Sequence, residues 1–336
     1  MKIQTLSLES SHFPVMLNEI IEISSPEKGG HFIDSTFGGG GYSKALLQFP
    51  KTKVTGIDRD QAVAKIAAKI LKKFKNRFQF YQLKFSQVDT ISKNYVDVII
   101  FDLGLSSIQL NDLKRGFSFK SNELLDMAMG LSDISAQEVV NNLTELELKL
   151  IIKILGEEKE ASKIAKNIVK ARTEKKITQV NELVKIIEKS KKKNFSSKIN
   201  PCTKTFQALR IFVNKEITEL INGMINATKI LKPGGKILIV SFHSIEDKIV
   251  KYFFSNFSEN KSMPSRYLPI NETSSPVLFE KYINKIIKPS KKEIEQNNRS
   301  RSAKLRFAVR SKNKFFQPTS IFQKFKKYLE IEAINV

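Results

Sequence analysis

Four consecutive glycines, residues 38–41, separate a predicted strand from a predicted helix. Residues 31–34 are short and apolar, as a buried strand is, and helical spacing resumes over residues 43–49. Because glycines lack Cβ atoms, the turn can adopt positive φ angles and let a ligand approach backbone N–H groups. The helix N-terminus behind it favours polar or anionic ligand groups. This arrangement indicates a cradle for a nucleoside-type ligand, with a flexible turn as the alternative.

An acidic residue follows the next predicted strand. Residues 53–57 form that strand, and Asp58 comes directly after it, 20 residues beyond Gly38. A carboxylate at this place can accept hydrogen bonds from both hydroxyls of a ribose. The spacing departs from the strict Gly-x-Gly-x-x-Gly pattern, because Ser43 stands where the third glycine would be. The pair therefore favours a ribose-containing ligand without distinguishing a dinucleotide from other nucleosides.

Strands and helices alternate through this part of the chain. Helices are predicted over residues 15–23 and 61–74, and a third strand over residues 78–82. Residues 95–101 form a near-continuous apolar run, which is typical of a strand buried on both faces of a parallel sheet. Asp102 follows it, at the edge where open α/β sheets hold their ligands. The predicted fold class is α/β, with a doubly wound, Rossmann-like sheet.

The pattern changes from about residue 122 to residue 197, where every periodic segment predicts a helix. The helices span residues 136–143, 145–155, 161–171 and 180–189. Later segments predict a long helix over 205–231, a strand over 236–242, a helix over 243–254, a strand over 304–309 and a marginal helix over 321–331. We therefore predict an α/β domain (1–112 and 205–310), an inserted all-helical domain (113–204) and a basic tail (311–336).

The chain is strongly basic. Its 57 Lys and Arg against 34 Asp and Glu give a net charge of +23, which favours a polyanionic partner, with nucleic acid ahead of a membrane surface. Residues 261–336 hold 17 basic and 6 acidic residues, so 17 − 6 = +11 of the excess lies there. The C-terminal part is the predicted electrostatic footprint.

Several classes of site are disfavoured by composition. A single cysteine, Cys202, excludes an intrachain disulfide and favours a reducing, cytoplasmic setting. No apolar run reaches the ~18 residues of a membrane span, so we expect a soluble protein without a membrane partner. The three histidines show no clustered ligand spacing, and no metal site is predicted. No Gly-x-Ser-x-Gly elbow or Walker lysine is present, which weakens hydrolase and kinase readings.

A set of motifs resembles one known family. They occupy residues 34–43, 56–60, 102–107 with Gln109 and Leu110, 115–119, 125–127, 156–158, 205–211 with Asn214, 232–235, 241–247 and 299–306. The chain resembles the RsmH/MraW family of S-adenosylmethionine-dependent methyltransferases, which modify the N4 amine of a cytidine in bacterial 16S ribosomal RNA. The resemblance extends to about Arg310. The family usually has His in place of Tyr42 and Arg in place of Ala128.

The resemblance implies a class I methyltransferase fold and S-adenosyl-L-methionine as the cofactor. It also implies that the α/β domain (1–112 and 205–310) is catalytic and that the inserted helical domain (113–204) serves RNA recognition. Its cofactor-binding positions correspond to Gly38, Gly40, Gly41 and Tyr42 near the methionine moiety, Asp58 on the ribose, and Phe85, Asp102 and Gln109 near the adenine and the sulfonium. The physical interpretation agrees independently for the glycines and Asp58. It says nothing independent about Phe85 or Gln109.

Three residues are candidates for holding the target amine. An acceptor that binds an amine hydrogen would favour the attacking geometry, and alignment with desolvation should supply most of the acceleration. Asp102 or Ser106 in the following loop could be that acceptor, and His243 is the further candidate. Asp and Ser at strand ends also serve commonly as helix caps or turn formers.

The expected partner is 16S rRNA in the assembled small ribosomal subunit, near the decoding centre. The segment with Arg299, Arg301, Lys304 and Arg306 is predicted to contact RNA phosphates, with a solubilising role on an edge strand as the alternative. The sequence leaves open whether the chain forms a homodimer. A nicotinamide-dependent oxidoreductase and a noncatalytic ribosome-binding protein are the competing functions.

Overall fold

The structure is a computed structural model that describes residues 14–91, 96–191, 200–259, 277–280 and 282–336. Two compact units divide the chain. The α/β unit contains residues 1–104 and 223–318, and the helical unit contains residues 105–222 and 319–336. The helical unit thus begins earlier and ends later in the chain than the predicted insertion at 113–204.

A six-stranded sheet forms the centre of the α/β unit. Its strands are β1 (Gly30–Asp34), β2 (Thr52–Asp58), β3 (Phe78–Gln82), β4 (Val96–Asp102), β5 (Leu231–Ser241) and β6 (Lys304–Val309). Their order is β3-β2-β1-β4-β5-β6, with β6 antiparallel to β5 and all other neighbours parallel. The predicted doubly wound α/β class is confirmed. Residue 95, which the predicted fourth strand included, lies outside the described residues.

Fourteen α-helices lie in the described part of the chain. They are α1 (Leu17–Ser24), α2 (Gly41–Leu46), α3 (Ala64–Lys73), α4 (Ser107–Asn111), α5 (Ala136–Asn142), α6 (Glu145–Leu155), α7 (Ala161–Glu174), α8 (Val180–Ser190), α9 (Thr203–Asn214), α10 (Glu216–Ile230), α11 (Ser244–Asn256), α12 (Lys291–Gln296), α13 (Ser320–Lys324) and α14 (Lys326–Glu332). None of the helices found in these residues is long and apolar enough to cross a bilayer.

The core of the α/β unit is centred on β1 and β4. Phe32, Ile33, Ile99, Ile100 and Phe101 are all fully buried, as expected for adjacent central strands covered by helices on both faces. Since successive side chains of a strand point to opposite faces, a continuous apolar run fills both layers at once. The burial holds the carboxyl ends of these strands in fixed positions.

The helical unit is organised by local start signals and apolar faces. Ser135 and Thr144 cap α5 and α6, and in each case the carboxylate of a glutamate three residues later accepts a hydrogen bond from the backbone N–H of the capping residue. The bounds of α5, α6, α7 and α8 agree with the predicted helices to within three residues. The predicted helical character of this region is confirmed.

The prediction of one long helix over 205–231 is wrong, because the helix is interrupted at Lys215. This residue has a left-handed φ of 50° and separates α9 from α10. The side-chain amide of Asn214 donates to the Met127 carbonyl at 2.8 Å, and its oxygen accepts the Met129 N–H at 2.8 Å. These distant contacts fix the end of α9, where the sequence has neither glycine nor proline.

The strand predicted over 236–242 begins earlier, at Leu231. Val96 pairs with Leu231 and Val98 pairs with Lys236, so residues 232–235 form an irregularity within β5. The preceding helix α10 ends at Ile230, directly before this segment, and the Pro-Gly-Gly sequence lies in the irregular part of the strand.

The end of the predicted basic tail belongs to the helical unit. Its single predicted helix is two short helices, α13 and α14, that meet at Phe325. Glu332 is 1% exposed, and its carboxylate accepts the N–H groups of Ile217 and Thr218 at 2.9 and 2.8 Å and the Thr218 hydroxyl at 2.6 Å. Glu332 therefore caps the first turn of α10. Burial raises its pKa to about 7.

Replacing Glu332 by alanine is expected to lower the free energy of unfolding by about 1–3 kcal/mol, because two N–H groups at the start of α10 lose their acceptor. Denaturant titration would measure the loss. Glu330→Ala is the matched control, since Glu330 lies on the same helix with an exposed side chain. Equal stability of the two variants would show that the cap contributes nothing.

Candidate active site

The glycine turn lies between β1 and α2. Gly38 and Gly40 have φ angles of 49° and 70°, in the left-handed region. A Cβ on Gly40 would lie 2.8 Å from the Phe37 ring, and one on Gly41 would be 2.7 Å from its nearest neighbour. A Cβ on Gly39 would meet nothing within 4 Å. The turn is thus tightly packed underneath and open above Gly39.

Asp58 ties this turn to the end of β2. One carboxylate oxygen accepts the N–H of Gly38 at 2.8 Å, and the other accepts the N–H of Asp60 at 2.9 Å. Burial raises the pKa of Asp58 to about 6, against the lowering effect of the two hydrogen bonds. A carboxylate has about four acceptor positions, so these two bonds leave capacity for ligand hydroxyls.

Two further carboxyl groups lie at the ends of the neighbouring strands. Asp34, at the end of β1, is fully buried and accepts the Ser43 hydroxyl at 2.7 Å and the Ser43 N–H at 3.2 Å. Oδ1 of Asp34 and Oδ1 of Asp102 are buried without a hydrogen-bond partner in the described residues. Burial raises the pKa of Asp34 to about 6 and that of Asp102 to about 8, and the charge of Asp34 adds to the effect on Asp102.

The structure therefore brings Asp34, Asp58 and Asp102 to one edge of three adjacent strands. The sequence places Asp34, like Asp58 and Asp102, at the end of a predicted strand, but it assigns Asp34 no specific contact with a ligand. Its signal is its place at the end of β1, immediately before the glycine turn. An aspartate there caps turns more often than it binds ligands, so spacing alone could not assign it.

Tyr42 lies in the first turn of α2, directly after the glycines, and is 3% exposed. Its hydroxyl lies within hydrogen-bond reach of both the Val15 carbonyl and the Asp102 carboxyl group. A phenol has a single hydrogen and so donates to one of them at a time. Burial, with the neighbouring charge of Asp102, raises the pKa of Tyr42 above its ordinary value. Its contact with a methionine moiety remains a prediction.

Phe85 lies three residues beyond the end of β3 and is half-buried. Its ring meets the edge of Phe101, with centroids 5.5 Å apart, and a Cβ on Gly223 would lie 2.6 Å from it. The Phe85 ring therefore packs where any side chain larger than that of Gly223 would clash with it. The predicted contact of Phe85 with adenine is not tested by this packing.

Ser106 and Gln109 belong to the helical unit, where they cap α4. The Ser106 hydroxyl oxygen accepts the N–H of Gln109 at 3.2 Å, and Oε1 of Gln109 accepts the N–H of Ser106 at 3.0 Å. This is a reciprocal capping box. The capping role considered for a serine at this position is present, and the predicted catalytic and cofactor roles remain predictions.

His243 is the N-cap residue of α11 and lies two residues beyond the end of β5. Its Nδ1 accepts the N–H of Glu246 at 3.4 Å, while Oε2 of Glu246 accepts the N–H groups of Phe242 and His243 at 2.8 and 3.2 Å. Nε2 of His243 lies 3.1 Å from Oε1 of Glu246, without hydrogen-bond alignment. Because β5 pairs with β4, this histidine lies at the same sheet edge as Asp102.

The chain was compared with protein families and with known proteins. Residues 9–311 match the model of the MraW methylase family. The chain belongs to that family. The predicted resemblance is therefore confirmed, and the chain is assigned to the methyltransferases.

Two relatives illustrate the similarity. The ribosomal RNA small subunit methyltransferase H of Ehrlichia ruminantium (strain Welgevonden) is 42% identical over 301 residues, covering 88% of this chain and 98% of the relative. The protein of the same name from Rickettsia canadensis (strain McKiel) is 43% identical over 303 residues, covering 90% and 98%.

Solved structures are more distant. An rRNA methylase from Streptococcus thermophilus matches with a TM-score of 0.38 and 9% identity, covering 87% of this chain and 96% of that one. The N-methyltransferase NodS from Bradyrhizobium japonicum, in complex with S-adenosylhomocysteine, matches with a TM-score of 0.37 and 8% identity, covering 88% and 85%.

The basic residues of the motif at 299–306 do not form one exposed surface. Arg306 is 3% exposed: its Nε donates to Asp247 at 2.7 Å, and its Nη1 donates to the Tyr282 hydroxyl at 3.0 Å and to Asn284 at 2.9 Å. Lys304 lies on the same face of the strand and contacts the other oxygen of Asp247 at 3.0 Å.

The guanidinium of Arg306 is buried against α11, which gives no support to the predicted RNA contact of this residue, and that contact stays a prediction. Arg299 and Arg301, which precede β6, are exposed, and their RNA contacts remain predictions together with that of the half-buried Lys304. Residues 261–276 and 281 of the predicted basic C-terminal part lie outside the described residues.

Replacing Arg306 by glutamine is expected to lower the free energy of unfolding by about 2 kcal/mol, because Asp247 and Tyr282 lose a buried donor. The dependence of RNA binding on salt should stay unchanged. Arg301→Gln is the control with the same loss of charge at an exposed position. An intact fold with a shallower salt dependence in Arg306→Gln would contradict the structural role.

Proposed function

We propose that this protein transfers a methyl group from S-adenosylmethionine to the N4 amine of a cytidine in 16S rRNA of the small ribosomal subunit. One observation carries the proposal. In a chain of the MraW methylase family, Asp58, Asp34 and Asp102 lie side by side at the ends of β2, β1 and β4. This is the edge where α/β sheets of this kind bind ligands.

The chemistry of this edge fits the cofactor. Asp34 and Asp102 each bury a carboxyl oxygen without a partner in the described residues, and such groups are stabilised by a nearby cation. S-adenosylmethionine carries two positive groups, a sulfonium and an ammonium, and when bound it supplies an electrophilic methyl group. The open space above Gly39 would admit a ligand against the turn.

The proposed cofactor contacts follow from position. Asp58 would accept hydrogen bonds from the ribose hydroxyls, using the acceptor capacity that its two backbone contacts leave. Gly38, Gly40 and Gly41 would hold the backbone close to the methionine moiety. Tyr42, Phe85 and Gln109 are proposed as contacts on the family resemblance alone.

Asp102 is the proposed acceptor for the target amine. The lone pair of a cytosine N4 amine is delocalised into the ring, so an acceptor that holds one amine hydrogen favours attack on the methyl group. As the new N–C bond forms, the nitrogen becomes acidic, and an ionised Asp102 can take its proton. His243, at the neighbouring strand end, and Ser106 are the other proposed contacts to the base.

RNA recognition is proposed for the helical unit and for Arg299, Arg301 and Lys304. The target cytosine must leave its stack to expose the amine, and phosphate contacts would fix the register of the flanking strand. The assembled small subunit near the decoding centre is the proposed substrate. This part of the proposal rests on the relatives, which are named as methyltransferases of small-subunit ribosomal RNA.

One incubation separates the candidate functions. Small subunits lacking the modification are incubated with S-adenosylmethionine labelled in the methyl group, and the RNA is digested for nucleoside analysis. Labelled N4-methylcytidine is the expected product. RNA binding without label would indicate a noncatalytic ribosome-binding protein, and binding of NAD without a response to S-adenosylmethionine would indicate an oxidoreductase.

A further inference from the structure

Helix α7 of the helical unit carries three exposed lysines, Lys163, Lys166 and Lys170. Their spacing of three and four residues places them within about 60° of one another around the helix. Neighbours at this spacing lie roughly 5–6 Å apart. We call these three side chains the lysine face.

The opposite side of α7 holds the helix in the unit. Ala161, Ile164, Ala165 and Ile168 are at most 1% exposed, and α7 packs against α5, α6 and α8. The lysines therefore point away from the packed side and contribute little to the core. Their side chains can change without creating a cavity.

The lysine face is not neutralised within the described residues, where no ion pair joins it to a carboxylate. Some basic side chains of this unit are paired, since Lys191 lies 2.6 Å from Glu158 and Arg210 lies 2.8 Å from Glu216. The acidic residue of α7, Glu174, follows Lys170 by four residues and so lies on the same side of the helix, but no ion pair joins the two side chains in the described residues. Three adjacent ammonium groups are thus left to attract an external anion.

We propose that the lysine face of α7 docks the sugar-phosphate backbone of RNA. The inference rests on the proposed function, because it names the surface by which the helical unit would hold its substrate. Ammonium groups in a row can each neutralise one phosphate, and release of the condensed counterions favours the complex. Such contacts position a strand without reading its sequence.

Helix α3 of the α/β unit offers a matched control. Lys65, Lys69 and Lys72 are exposed with nearly the same spacing, but Leu71 beside them is 44% exposed. Removing three charges from either helix changes the net charge equally. A difference between the two variants would therefore report position rather than total charge.

The test compares full-length protein with Lys163→Gln/Lys166→Gln/Lys170→Gln and with Lys65→Gln/Lys69→Gln/Lys72→Gln. Binding to small subunits that lack the modification is measured across a salt series. We expect the α7 variant to lose about tenfold or more in affinity and its salt slope to fall by about 2–3, near one unit for each lost phosphate contact. The α3 variant should match the wild type.

Three outcomes would overturn the proposal. The first is a wild-type salt slope in the α7 variant, and the second is an equal loss of subunit affinity in the α7 and α3 variants. The third is an α7 variant that binds subunits normally but no longer binds anionic phospholipid vesicles, which would assign the face to a membrane. Labelling by the wild-type protein is measured in parallel. Absence of label with an α7-specific loss of subunit binding would reject the proposed reaction and leave the docking surface in place.

Discussion

Replacing Asp102 by asparagine is expected to lower kcat for methyl transfer by about 10²–10⁴-fold, the range for loss of a positioned proton acceptor. Asparagine keeps the size of the side chain and can still accept a hydrogen bond, but it cannot take the amine proton. Cofactor affinity, measured separately by calorimetry, should change far less. A variant with near-wild-type transfer would remove Asp102 from the proposed mechanism.

The pH dependence of the reaction gives an independent readout. Burial and the charge of Asp34 raise the pKa of Asp102 to about 8, so the carboxyl group is protonated below this pH and ionised above it. Because only the ionised form accepts a proton, kcat/KM should rise with pH and level off above about 8. The rising limb should be absent in Asp102→Asn. An identical profile in both proteins would assign the titration to another group.

The same burial predicts an opposite effect on stability. Between pH 3.8 and about 8 the folded state holds a proton on Asp102 that the unfolded state releases, so this group makes folding less favourable as pH rises. Asp102→Asn removes that dependence. At alkaline pH the variant should therefore be more stable than the wild type, by on the order of 1 kcal/mol, while being less active. Asp133→Asn, at an exposed site, is the control.

Local patterns predicted much of the fold. The bounds of β3, β6 and α6 agree with the sequence residue for residue, and β1 and β2 differ by a single residue at their ends. An apolar run bounded by turn residues shows where a strand or helix begins and ends, and this signal depends only on residues a few positions apart. Because these patterns predicted where the strands end, they also predicted that Asp58 and Asp102 lie at one edge of the sheet.

Features set by distant contacts could not be predicted in this way. The end of α9 depends on Asn214 binding Met127 and Met129, more than 80 positions earlier. The burial of Arg306 depends on Asp247 of α11, which lies 59 positions away. A basic motif has the same sequence whether its arginine is exposed or buried, and a helix that contains neither glycine nor proline carries no local signal of where it ends. Only the tertiary partner decides between a surface arginine and a buried one.

Replacing Asp58 by alanine is expected to raise the Kd for S-adenosylmethionine by about 10²–10⁴-fold. The proposed contacts are two hydrogen bonds from ribose hydroxyls to a charged acceptor, each worth about 1.5–3 kcal/mol. The change also removes the acceptor for the Gly38 N–H, so part of the loss could come from the turn itself. Two further measurements separate these causes.

Gly39→Ala tests whether a ligand lies over the turn. Since an added Cβ at Gly39 meets nothing within 4 Å, the variant should fold with wild-type stability and still bind the cofactor less tightly. A cofactor analogue lacking the ribose 2′-hydroxyl tests Asp58 directly. If the carboxylate binds that hydroxyl, its removal should weaken binding to the wild type but not to Asp58→Ala, since the two losses share one contact. Additive losses would mean that Asp58 supports only the turn, and that the ribose is held elsewhere.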